Sequence, residues 1–133
     1  MNKSFEKSIC NKFFDKCKSE RIYYELTNSK KRMHAIERFS HNSDKLLQPS
    51  KIYLSSDKLI DKEKVISFLC CDECYCICRY NAFDGKMVQI DTALKSLYSN
   101  GPYFIFNIQS FKGFLETEYN FSEHYSYLLM DTF

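Results

Sequence analysis

Alternation of side-chain character is clearest in the stretch Cys70–Tyr80, CCDECYCICRY. From Cys74 onward the thiols Cys74, Cys76 and Cys78 fall on one side and Tyr75, Ile77 and Arg79 on the other. A period of two predicts a β-strand with one buried face, and reduced cysteine is small, apolar and commonly buried, so the thiol file is expected against the core. A second run, Tyr103–Gln109 (YFIFNIQ), sets Phe104, Phe106 and Ile108 in one row and predicts the strand's central companion. Asp84-Gly85 between the cysteine run and Met87–Ile90 is a tight hairpin signal, so Met87–Ile90 is expected to return antiparallel.

The front of the chain follows a different period. Phe5, Ile9, Phe13 and Cys17 recur every four residues over 3–19, with five lysines around them, which predicts an amphipathic helix, and the absence of a breaker before Asn28 favours its running on to Leu26. Ser29 can cap a second helix over Lys30–Phe39, with Met33, Ile36 and Phe39 inward. His41–Ser50 reads as a loop that tucks Leu46 and Leu47 onto the core, and Lys51–Ser55 as a short strand with Ile52 and Leu54 on one side. Further helices are expected over Lys62–Cys70, capped by Asp61, and over Thr92–Ser99, capped by Asp91 and ended by a left-handed residue at Asn100-Gly101-Pro102. Phe114–Tyr119 and Tyr125–Met130 complete the strands. The fold class is α+β: one domain over residues 1–133, with a mainly antiparallel sheet of five or six strands and three or four helices concentrated in the N-terminal half.

Composition changes this picture in two places. Twelve Phe and ten Tyr against three Gly and two Pro promise a core rich in rings and few long linkers. The net charge of +2 is also unevenly spread: residues 1–40 hold ten Lys and Arg against five acids, whereas residues 91–133 hold two against five. A basic front and an acidic back suit partners of opposite sign. The N-terminus carries charges throughout and no apolar signal core, and seven cysteines, an odd number, read as reduced thiols; the expected location is the cytoplasm.

Candidate chemistry is thin. Cys71-Asp72-Glu73-Cys74 is a C-x-x-C, but a structural zinc site wants a second pair, and Cys10 and Cys17 sit far away on a helix. Alternate strand residues lie about 6.6 Å apart, too far to share an ion with metal–sulfur bonds near ~2.3 Å, so the expectation is structural thiols, no metal and no cofactor. His34, Glu37 and His41 would share a helix face if that helix ran far enough, without the spacing of a zinc protease. Cys71 with His41 or His124 is the one conceivable nucleophilic dyad, and no phosphate-binding glycine loop exists.

Two surfaces remain for binding. The C-terminal segment interleaves Glu116, Glu118, Glu123 and Asp131 with Tyr119, Tyr125 and Tyr127, a mixture suited to holding a basic protein. The reading drawn from it is a small binding protein rather than an enzyme, most concretely an immunity protein or antitoxin-like inhibitor that blocks a basic nuclease toxin. The alternative is a nucleic-acid-binding or regulatory domain using Lys30, Lys31, Arg32 and Arg38; a third is a small enzyme built on the His34, Glu37 and His41 face.

Overall fold

The structure, a computed structural model, describes residues 1–41, 43–119 and 125–131. Helices α1 (Lys3–Phe13), α2 (Ser19–Leu26), α3 (Arg32–Arg38) and α4 (Ser43–Leu46) lead through a 3-10 turn (Pro49–Lys51) into β1 (Ile52–Ser56). Helix α5 (Lys62–Leu69), strands β2 (Glu73–Cys78) and β3 (Met87–Gln89), helix α6 (Ile90–Leu97) and strands β4 (Tyr103–Asn107), β5 (Lys112–Glu116) and β6 (Ser126–Met130) follow. The six strands form one antiparallel sheet in the order β1-β6-β5-β4-β2-β3, giving the α+β domain expected from the sequence. No helix among the described residues is long and apolar enough to cross a membrane.

Both faces of the sheet are covered. Cys74, Cys76 and Cys78 do line one core, with Tyr103, Ile105, Phe114 and Leu128, beneath α5 and α6. Their alternates Tyr75 and Ile77 are equally buried, in a second core with Phe104, Phe106, Leu115, Tyr127 and Leu129 beneath α1, α2 and α3. The alternation therefore sorts side chains between two cores rather than between core and water. The high ring content is spent on the second: Phe39 meets Phe104 edge-on at 4.6 Å, Phe14 stacks on Phe39 at 5.3 Å, and Phe13 stacks on Phe106 at 5.4 Å. Such ring pairs add about 0.5–1.5 kcal/mol beyond the area they bury.

Several local expectations are corrected by tertiary contacts. Helix α1 stops at Phe13, because Phe14 turns into an isolated bridge with Leu47 and the Asp15 N–H donates to the Leu46 carbonyl at 2.7 Å. The stop is matched at the other end by Asn2, whose Oδ1 caps α1 by accepting from the Phe5 N–H. Helix α3 is shorter than 30–39 and leaves Met33 exposed; Ile36 and Phe39 are buried as expected, and Ala35 takes the inward place of Met33. Ile52 and Leu54 face opposite cores, since a bulge between them in the β1–β6 register shifts the alternation by one. Helix α6 begins at Ile90, before Asp91, which lies in its first turn. The left-handed residue after α6 is Ser99 (φ 76), and Gly101 serves another purpose: a Cβ there would strike the carbonyl oxygens of Glu116 and Thr117.

Candidate functional site

Packing α2 and α3 by their apolar sides leaves Arg21 and Arg38 at the surface, and the turns before α2 and α3 and helix α4 bring more cations. The Ile22 and Leu46 side chains floor a cleft of about 310 Å³ rimmed by Lys18, Arg21, Arg38, His41 and Lys45. A neighbouring cleft of about 590 Å³ is lined by Tyr24, Glu25, Lys30, Lys31 and His34, and again by Arg21 and Arg38. The two arginines stand at the join. Six Lys and Arg therefore line the pair of clefts against one carboxylate.

That carboxylate organises the join. Glu25 is buried on α2, and its Oε1 accepts from Arg21 Nε at 3.2 Å and from Arg38 Nη2 at 2.5 Å. One acid thus anchors two guanidiniums and leaves a net positive centre. Among the described residues, Arg38 Nε is buried with no hydrogen-bond partner. Lys18 reaches over to the Lys45 carbonyl at 3.3 Å, closing the outer end. In the second cleft the Lys31 ammonium sits 5.2 Å from the centre of the Tyr24 ring, which is nonetheless 56% exposed. The local sequence announces only Lys30, Lys31 and Arg38 of this groove, because Lys18, Arg21 and Lys45 join them only once separate segments pack.

Arg32 does not belong to the groove. It is buried beneath α1, its Nη1 and Nη2 bound to the Glu6 carboxylate at 2.6 and 2.8 Å and its Nε and Nη2 to Asp84 at 2.7 and 2.9 Å. Nη1 also donates to the Leu26 carbonyl at 2.8 Å. Tyr75 completes the cluster by donating its hydroxyl to Glu6, and the Asn2 N–H donates to Tyr75. Burial, then the hydrogen bond to Glu6, holds the Tyr75 phenol above its ordinary range. Asp84 in turn accepts from the Cys78 N–H, so the predicted hairpin turn is tied to the first helix through one guanidinium.

The residues of the C-terminal segment are dispersed. Glu116 is fully buried and accepts from the Tyr103 hydroxyl at 2.6 Å and the Ser99 N–H at 2.9 Å. The Tyr103 phenol is pushed up by burial and then by Glu116. Tyr127 is buried, its hydroxyl 2.9 Å from that of Ser43. Asp131 is clamped by Lys12 and Lys51, both at 3.0 Å, and those two bonds lower its carboxyl below the usual range. Tyr125 is half-buried and its backbone pairs with Thr117. Glu118 and Tyr119 remain at the surface, with Glu118 3.9 Å from Arg79; Glu123 lies outside the described residues.

The other candidates are not assembled either. Helix α3 ends at Arg38, so His41 sits in a turn and lines the first cleft, while His34 lines the second. Cys74 and Cys76 have sulfurs 4.0 Å apart, closer than the strand spacing implies, because the two side chains lean together inside the core. Among the described residues no group of three or more His, Cys, Asp or Glu is placed to hold a metal ion. Cys71 lines a different cleft, of about 710 Å³, and burial pushes its thiol up to about 11, away from the thiolate a nucleophile needs; His124 lies outside the described residues. No protein-family description, curated protein or solved structure matches the chain.

Proposed function

We propose that the protein is a non-catalytic nucleic-acid-binding protein that docks its partner in the groove formed by α2, α3, α4 and the turn before α2. The observation that carries this reading is the pair of clefts sharing Arg21 and Arg38, in which six cations face one already-neutralised acid. A domain of net charge +2 gives no general attraction to a polyanion, so the concentration of charge in one concavity is what distinguishes this face. The proposal sets the protein in the cytoplasm, and the seven free thiols support that setting.

Replacing Lys18, Lys30, Lys31 and Lys45, all exposed, by Glu tests the reading without touching the Glu25 clamp. The wild-type protein should bind random-sequence nucleic acid at micromolar or better affinity in ~150 mM salt, and the variant should lose at least about tenfold with a shallower salt dependence. Equal binding by the variant would sink the proposal.

A second reading keeps the protein-inhibitor function, in which the chain neutralises a basic nuclease toxin. It is supported by the exposed neighbours Glu118 and Tyr119, the part of the acidic aromatic segment that the described fold leaves at the surface. Glu118→Lys should then slow association with such a toxin and flatten its salt dependence, measured by stopped flow. An unchanged rate and slope would remove that surface from consideration.

A further inference from the structure

We infer that the groove takes a single strand rather than a duplex, with Tyr24 as the platform on which a base stacks; this rests on the nucleic-acid reading above. Three observations select the single strand. The first is Tyr24 itself, a large ring 56% exposed within a cleft otherwise lined by charge. Lys31 lies over the ring at 5.2 Å, and Tyr24 still keeps more than half of its surface open, enough for a base to stack. An aromatic face among cations is how proteins hold single strands without reading sequence, since every base has a π-face.

The second is the shape of the cationic surface. Its charges come from four short segments around two linked concavities, not from one helix face. Helices α2 and α3 have eight and seven residues, about 12 and 10 Å long at 1.5 Å per residue, and neither presents a continuous basic ridge to a major groove. A flexible strand can enter two small concavities that share Arg21 and Arg38, whereas a stiff duplex would span them.

The third is the floor of the first cleft. The partly buried Leu46 offers apolar area among Lys18, Arg21 and Lys45, and the buried Ile22 lines the same cleft. That combination suits a base below and a phosphate at the rim, and a sulfated sugar would leave the floor unused. In the proposed arrangement the strand crosses from one cleft to the other, its phosphates near Arg21 and Arg38 and one base on Tyr24.

The test uses fluorescence anisotropy at ~150 mM salt with a 12-nucleotide single-stranded RNA, the same sequence as single-stranded DNA, the corresponding duplex DNA, and heparin as a polyanion without bases. The proteins are wild type, Tyr24→Phe, Tyr24→Ala and the fourfold Lys-to-Glu variant, each checked by thermal melt. The proposal expects single strands to bind at least about tenfold more tightly than duplex. It expects Tyr24→Phe to stay within about twofold of wild type, and Tyr24→Ala to lose about tenfold for single strands while heparin affinity and salt slope hold. RNA and DNA binding equally places recognition in base and phosphate; a preference for RNA adds the 2′-hydroxyl. If Lys-to-Glu abolishes binding but Tyr24→Ala changes nothing, or duplex binds as well as single strand, the groove survives and this inference is wrong. If the Lys-to-Glu variant binds every probe like wild type, or the wild type binds none, both readings fall.

Discussion

Removing Arg32 would leave the Glu6 and Asp84 carboxylates facing each other where little water reaches, and that makes the cluster testable. Arg32→Met should destabilise the fold by about 3–5 kcal/mol in urea titration, whereas replacing Glu6, Arg32 and Asp84 together by Leu, Met and Asn should cost markedly less. Asp131 gives a pH test. Its folded carboxyl is lowered by Lys12 and Lys51, so the stability it contributes is present above the ordinary Asp range and is lost as pH falls through the lowered value. Asp131→Asn should therefore be less stable than wild type at pH 7, by up to about 1 kcal/mol, and the two curves should converge in acid. Thiols give a third. Cys17 and Cys70 are exposed and should react quickly with a disulfide reagent at pH 7.5, Cys71 slowly because burial lifts it to about 11, and Cys10, Cys74, Cys76 and Cys78 only on unfolding. Fast labelling of all seven in the native protein would contradict the buried file.

At the scale of elements, the left-handed residue ending α5 is Cys70 (φ 50), a conformation that favours glycine. Cys70→Gly should raise stability by about 0.5–1 kcal/mol, read as a higher melting temperature. Gly101→Ala should do the reverse, by about 1–3 kcal/mol, because the Glu116 and Thr117 carbonyls occupy the space. These elements also show what the sequence could reveal. Strands β2 and β4 were legible because their alternation is strong, and the β2–β3 hairpin because Asp84-Gly85 marks it; Gly85 does adopt φ 74. The end of α1 was not, since Phe14 leaves the helix for a partner 33 positions away in sequence. The site followed the same logic. Lys30, Lys31 and Arg38 stand together in the chain and were visible as a patch, but Arg32 among them is withdrawn by acids 26 and 52 residues distant. Glu116 looked like a surface acid for the same reason: Tyr103, its buried partner, is cross-strand rather than adjacent.

At the scale of the molecule, two cores on one sheet make the N-terminal helices part of the fold rather than an appendage. A chain lacking residues 1–41 would bare Tyr75, Ile77, Phe104, Phe106 and Leu129, and it should aggregate or bind a hydrophobic dye such as ANS instead of folding cooperatively. A soluble fragment with a sharp melt would show that the second core is dispensable. The order of the strands has a consequence for biosynthesis. Strand β6 lies inside the sheet, between β1 and β5, yet it is made after every other strand. About 70 residues separate the end of β1 from the start of β6, or roughly 4–14 s of translation at ~5–20 residues per second. Throughout that interval β1 has no neighbour on the ribosome, and β5, made last but one, presents an open edge only over the final stretch before β6. The nascent chain must therefore keep β1 unpaired until β6 emerges to bridge it to β5, which makes β1 the strand most open to wrong pairing during synthesis.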